Sequence, residues 1–377
     1  MIFFRIPLGI LFLYSIASSV KATDLPLEKV KLPQGFSISI YAEVDNARQM
    51  ALGKDGTVYV GNRRAGKVYA LLNPGHAPAA QQVVVLDQGL SMPSGVAYRD
   101  GDLYVADIDR LYRYPAIART LDNSPRRELV TDQFPDKTQH GWKFIKFGPD
   151  GKLYVPVGAP CNICLSDDPI FATITRLDVS AAQPAPEIYV RGVRNSVGFD
   201  WHPRSGDLWF TDNGGDGLGD ELPADELNRV IRKDQHFGYP YIHQGDIRDR
   251  KFGQNKNPAD YQEPAQKLGA HVAALGMSFY TGDMFPAAYH NQIIIPEHGS
   301  WNRSTRAGHV GYRLTMVTLD AAGKAVQYTP FITGWLDEAT NKSWGRPAAT
   351  LVMPDGSLLI SDDKAGVVYR VTYQAPE

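Results

Sequence analysis

The chain is patterned as short strands joined by tight polar turns. In LGKDGTVYVGNRRAGKVYAL (52–71), a turn at Asp55-Gly56 leads into Val58-Tyr59-Val60, and a polar loop leads to a second apolar run. YRDGDLYVADIDRLYRY (98–114) repeats the unit about Asp100-Gly101. FGPDGKLYVPVGAPCN (147–162) repeats it about Asp150-Gly151, with ITRLDV (174–179) as the later strand. WHPRSGDLWFTDN (201–213) is a fourth copy and MPDGSLLISDDKAGVVYRV (353–371) the last. A diverged copy lies at 276–319, where IIIPEHG takes the place of LYVADID and YRLTMV that of LYRYP. Asp-Gly between β-branched and aromatic runs is a strong hairpin signal. The L-Y-V alternation suits a strand buried on one face.

A lone four-stranded sheet cannot bury both faces, whereas sheets ringed about an axis bury them against one another. Six units therefore predict an all-β fold, a six-bladed β-propeller of four-stranded antiparallel blades, as one domain over 23–377. A two-layer sandwich would leave the repeat unexplained. At roughly sixty residues each, the units exceed lean propeller repeats. The surplus is expected in insertions at 160–173, 214–270 and 298–308. In such a ring the functional site is expected at one mouth of the central channel.

Hydrophobic residues at 43% and charged residues at 21% describe a globular protein with ample core. A net charge of −2 and the lack of any Lys/Arg-dense run give no support to a nucleic-acid partner. Residues 1–22 place Arg5 before an apolar run at 6–16 and end in SSVKA, with Val20 and Ala22 suited to cleavage after Ala22. That is the pattern of a secretory signal peptide. The run is too short to span a bilayer, so no stable membrane insertion is expected. The mature chain is expected to be periplasmic or secreted. Cys161 and Cys164, the only cysteines, form C-N-I-C. In an oxidising compartment a small disulfide loop is the default. Zinc would need two more ligands, and haem attachment a His at 165, where Leu165 stands. A redox-active pair and free thiols are the alternatives.

Three units carry polar groups at matching offsets ahead of the hairpin turn. His140 stands nine residues before Pro149; Arg194, followed by Asn195, nine before Pro203; Arg346 eight before Pro354. Equivalent offsets place them at one mouth, and converging polar groups over an apolar channel describe a ligand site. His140 suits proton transfer near neutral pH. Two arginines in register point to an anionic ligand. The loop at 213–226 carries Asp216, Asp220, Glu221, Asp225 and Glu226 among glycines, a composition compatible with Ca²⁺ and equally with an acidic solvated loop.

HGWKFIKFGPDGKLYV, RGVRNSVGFDWHP, DNGGDGLGDE, IIIPEHGSWNRS and GRPAATLVMPDGSLLISDD together resemble the glucose/sorbosone dehydrogenase family. These are secreted six-bladed propellers, among them soluble quinoprotein sugar dehydrogenases and a fungal pyranose dehydrogenase domain. The resemblance spans about 32–373, and EHGSWNRS with the CNIC loop places it nearer the sorbosone-dehydrogenase-like branch. It implies oxidation of a sugar hydroxyl or aldehyde by pyrroloquinoline quinone (PQQ) with Ca²⁺, and return of the electrons to an external acceptor. His140 matches the family's general base, and Arg194 and Asn195 the pair that holds the cofactor. Gly214 and Gly215 match the positions whose carbonyls ligate Ca²⁺, and Arg346 the first of two arginines for the PQQ carboxylates. The family's lysine falls near Gly299, so Trp301, Asn302 or Arg303 is expected in its place. There are departures. The second arginine falls at Ala348, the aspartate supporting the histidine at Ala159, and no glutamine stands at 92–95. A Ca²⁺-dependent lactonase and a non-catalytic exported carbohydrate- or protein-binding propeller are the competing expectations.

Overall fold

The computed structural model describes residues 24–75, 77–121 and 125–376; the expected signal peptide at 1–22 lies outside them. Six four-stranded antiparallel sheets follow one another around the ring. Blade 1 runs from the inner strand Ala47–Leu52 to the outer strand Gln82–Gln88, and blade 2 from Gly95–Arg99 to Glu128–Thr131. Blade 3 runs from Lys146–Phe147 to Glu187–Arg191, blade 4 from Phe199–Trp201 to Gln266–Ala270, and blade 5 from Ser278–Phe279 to Ala325–Ile332. Blade 6 contains Pro347–Val352, Leu358–Asp362 and Val367–Tyr373, and the N-terminal strand Phe36–Glu43 completes it from outside. The two ends of the chain thus close the ring in a single sheet.

The apolar core divides into seams, each shared by neighbouring blades. Met50 and Val60 of blade 1 pack with Leu359 and Val368 of blade 6. Trp209 and Leu227 of blade 4 pack with Ile293 and Ile295 of blade 5. Burial of each such side chain contributes about 1.5–3 kcal/mol, so no blade is stable without its neighbours. The expected insertion at 214–270 is corrected: Ala224–Val230 and Gln266–Ala270 are the third and fourth strands of blade 4. The true excursions are 214–223 and 231–265, the latter holding a small pair, Ile242–His243 with Ile247–Arg248. Among the described residues no helix is long and apolar enough to cross a membrane.

Antiparallel pairing sends the loop leading into each inner strand, and the loop between its second and third strands, to the same mouth. Just inside that mouth Val197, Leu275 and Ala348, with Trp142 against them, form an apolar collar. Ala348 is a buried member of this collar, which accounts for a small residue at that position.

Candidate active site

His140, Arg194 and Arg346 all lead into inner strands and lie at this mouth. In blades 4 and 6 the same device sets the leading loop. An aspartate ending the second strand accepts the arginine's backbone N–H, Asp212 from Arg194 and Asp362 from Arg346, each at 2.8 Å. Both aspartates are buried, and burial pushes the Asp362 carboxyl up to about 6. Asp212 lies directly across from Glu226 on the next strand; burial drives both carboxyls upward, and the neighbouring Asp212 adds to the rise at Glu226.

His140 is held by its backbone and by one bond. Its φ of 51° is left-handed, a conformation that costs a non-glycine residue about 1–2 kcal/mol. The ring Nδ1 lies 2.9 Å from the carbonyl oxygen of Ala159. A carbonyl only accepts, so Nδ1 carries the proton and Nε2 is left as a free base. The orienting role expected of an aspartate at 159 therefore falls to the backbone of Ala159. Burial, then the charges of Arg194 and Arg63, lower the His140 pKa to about 4. Gly158 sits against the histidine: a Cβ there would lie 2.6 Å from the His140 Cβ and 2.7 Å from its carbonyl oxygen. Gly158→Ala is accordingly expected to displace His140, costing about 1–3 kcal/mol of stability in thermal unfolding and lowering kcat in the same preparation.

At the same mouth opens a cavity of about 690 Å³. His140 is not among its lining residues but feels the charge of Arg63, which is. Arg194, Gly214 and Gly215 line a separate small cleft. Six cations line the cavity, Arg48, Arg63, Arg64, Lys342, Arg346 and Lys364, against the single carboxylate of Asp363. Asp363 pairs with Arg48 at 2.6 Å and with His298 Nε2 at 2.7 Å. Burial alone would raise its pKa, but Arg48 and His298 hold it far below the usual carboxylate range. Arg63 lies 3.8 Å over the Trp142 ring. Burial, then Arg48 and Arg64, lower its pKa to about 10. Arg346 donates to the carbonyls of His298 and Gly299 and lies over Tyr312.

The remaining expected residues divide. Trp301 lines the cavity and is 71% exposed. Asn302 and Arg303 turn away: Asn302 bonds to Asp216 and His271, and Arg303 to Asp220, Glu221 and Gly308. Of the three candidates for the lysine position only Trp301 faces the cavity. Arg194 is 4% exposed and donates to Asn162, Asn213 and Asp216. Asn195, 7% exposed, leaves its carboxamide oxygen without a partner. Gly214 donates its N–H to Asp225 at 2.8 Å, and among the described residues neither the Gly214 nor the Gly215 carbonyl accepts a hydrogen bond. The acidic residues of 213–226 serve as tethers and strand residues. Cys161 and Cys164 form a disulfide.

Reasoning from sequence missed Arg48, Arg63 and Arg64, which line the cavity together with Arg346. A signal was present: GNRRAG (61–66) and SDDKAG (361–366) occupy the same loop in neighbouring blades, setting Arg63 against Asp363 and Arg64 against Lys364. No glutamine reaches the axis from 92–95. Gln49 of blade 1 does, accepting N–H groups of Val96 and Ile145 and so tying three inner strands together. Buried polar atoms normally find partners. At this mouth Arg48 Nε, Arg63 Nε, Trp142 Nε1 and Asn195 Oδ1 do not. The three nitrogens are donors that a planar polyanion with carbonyl groups fits, whereas the Asn195 oxygen is an acceptor and suits a donor or a cation.

The fold and mouth define a propeller whose one mouth carries both a polycationic pocket and a buried histidine with a lowered pKa. A model of the glucose/sorbosone dehydrogenase family matches residues 119–297. An uncharacterized protein of Borreliella burgdorferi is 31% identical over 385 residues, 96% of each chain. Two solved structures share the fold. One is a calcium structure of a Trichoderma reesei carbohydrate-active enzyme of family AA12 (TM-score 0.78, 19% identity, 92% of this chain and 97% of that one). The other is the holo form of the PQQ domain of Coprinopsis cinerea pyranose dehydrogenase (TM-score 0.75, 16% identity, 91% and 97%). The chain belongs to the glucose/sorbosone dehydrogenase family.

Proposed function

We propose that this protein is an exported quinoprotein oxidoreductase that binds PQQ with Ca²⁺ at the described mouth and oxidises a hydroxyl of a sugar or related aldose or alcohol. The observation that carries this is the pocket itself: six cations against one carboxylate, two of the cations (Arg48 and Arg63) with a buried Nε left unpartnered, at the mouth that also carries a histidine whose Nδ1 is bound to the Ala159 carbonyl. When bound, PQQ supplies the two-electron oxidant, and Ca²⁺ beside it adds Lewis-acid polarisation.

Arg48, Arg63 and Arg346 would hold the carboxylates, with charge-assisted bonds about twice as strong as neutral ones. The Asn195 carboxamide and the carbonyls of Gly214 and Gly215 would meet the quinone edge and the cation, and Trp301 would cover one face. His140 Nε2 takes the hydroxyl proton as the carbon gives up hydride, and the Ala159 carbonyl keeps the imidazole in the tautomer that can do so. An external acceptor takes the electrons away. A Ca²⁺-dependent lactonase needs carboxylates projecting into the channel, where this mouth presents arginines. Export follows from the 1–22 pattern and agrees with a disulfide.

Purified protein supplied with PQQ and CaCl₂ is expected to reduce a redox dye with at least one aldose or sugar alcohol, and to need both additions. No turnover across a broad panel of aldoses, alcohols and sorbosone would leave a non-catalytic binding propeller as the better reading.

A further inference from the structure

The ring closed by Cys161 and Cys164 takes no part in the chemistry above, yet it lies against three pieces of the site. Asn162, inside the ring, makes two of the four hydrogen bonds of the Arg194 guanidinium: Nε to its backbone carbonyl at 2.9 Å and Nη2 to its Oδ1 at 2.8 Å. The same carboxamide grips the backbone of Asp216 from both sides, accepting its N–H and donating to its carbonyl, each at 2.8 Å. The neighbouring Ile163 packs on Gly215, 3.1 Å from where a Cβ would stand. Two residues ahead of the ring is Ala159, whose carbonyl orients His140. On the far side the Tyr239 hydroxyl accepts the Cys164 N–H at 3.0 Å and lies 3.6 Å from the Cys161 sulfur.

A guanidinium has five N–H groups. Asn162, Asn213 and Asp216 take four of those of Arg194, which leaves one for a ligand. Without the Asn162 side chain the arginine loses the Oδ1 acceptor and keeps the backbone carbonyl of residue 162, Asn213 and Asp216. The Asp216 backbone loses both bonds that hold the Gly214-Gly215 segment beneath it. The entropic gain from a disulfide grows with the length of the loop it closes, so a ring this short adds little to global stability. What it restricts is the backbone at Asn162.

We infer that Asn162 is a positioning residue. It sets the Arg194 guanidinium and the Gly214-Gly215 carbonyls relative to His140, and the Cys161–Cys164 ring holds Asn162 in turn. This rests on the quinoprotein reading above.

The test is a PQQ titration in the presence of Ca²⁺ on wild type, Asn162→Ala, Asn162→Asp and the double variant Cys161→Ser/Cys164→Ser, with sugar kinetics on each. Asn162→Ala is expected to weaken PQQ binding and raise the Ca²⁺ requirement, each about 10- to 100-fold. The KM for sugar should move far less. Asn162→Asp is expected to recover part of the loss, because its carboxylate still accepts from Arg194 and from the Asp216 N–H but sets an oxygen against the Asp216 carbonyl in place of the donor. The double serine variant is expected to fall between wild type and Asn162→Ala. Wild-type binding with Asn162→Ala affinity within about twofold overturns this inference alone, as does an Asn162→Asp variant no better than Asn162→Ala. If Asn162→Ala fails to fold, the serine variant decides, and unchanged affinity there overturns it. A wild-type chain that binds no PQQ removes the quinoprotein reading and this inference together.

Discussion

Replacing His140 with alanine is expected to lower kcat by about 10²- to 10⁴-fold, the range for a positioned general base, while PQQ still binds. The side chain is held by the Ala159 carbonyl, is not among the residues lining the cationic cavity, and supplies none of the charge that would hold an anion. Its removal therefore leaves the arginines in place. The pH dependence gives an independent check. Burial and the charges of Arg194 and Arg63 disfavour the imidazolium, so the His140 pKa drops from 6.5 to about 4. The neutral base is then the dominant form at all pH values above about 4, and the acid limb of kcat/KM should fall with an apparent pKa near 4. Steady-state kinetics between pH 3.5 and 8 measure both effects. Full activity in His140→Ala refutes the base assignment, and a limb near 6.5 refutes the environment described for it.

Arg63→Met is expected to weaken PQQ binding by about one to two orders of magnitude, the loss of one charge-assisted hydrogen bond to a ligand. It should do so without lowering the thermal stability of the cofactor-free protein. Arg63 is held in its charged form at a disadvantage: burial comes first, then Arg48 and Arg64, and its pKa sinks to about 10. Methionine keeps the stem over Trp142 and removes that repulsion. The cation–π contact at 3.8 Å is lost, at about 0.5–1 kcal/mol or somewhat more where the site is dry. The two effects offset, so the melting temperature should change little. An arginine that served only the fold would show the reverse, a lower melting temperature and unaltered binding.

The propeller was legible because its blades repeat one local solution, an Asp-Gly hairpin between alternating strands, and local solutions show in sequence. His140, Arg194 and Arg346 were legible for the same reason, since equal offsets from a turn put residues at equal heights in their blades. Arg48 stands outside that register, six residues before Lys54 in a unit with no proline at the turn, and Arg63 and Arg64 read as an ordinary polar loop. Their role comes from the closing of blade 6 against blade 1, a contact between the two ends of the chain that no local pattern encodes. Ala159 was misleading for a different reason: its backbone does the work, and a side-chain pattern cannot show a carbonyl. The acidic loop was legible as a composition only. Which of its carboxylates tether Arg303 and Ser304, and which lie buried in a strand, depends on where Ala224–Val230 pairs.

The central claim, that the cationic mouth is a PQQ site completed by Ca²⁺, is tested most directly by equilibrium titration of the cofactor-free protein with PQQ, with CaCl₂ and with chelator. Saturable binding of one PQQ per chain that needs Ca²⁺ and is weakened by Arg63→Met is the predicted result. Binding that does not saturate with Ca²⁺ present, or that is indifferent to Arg63, would contradict it.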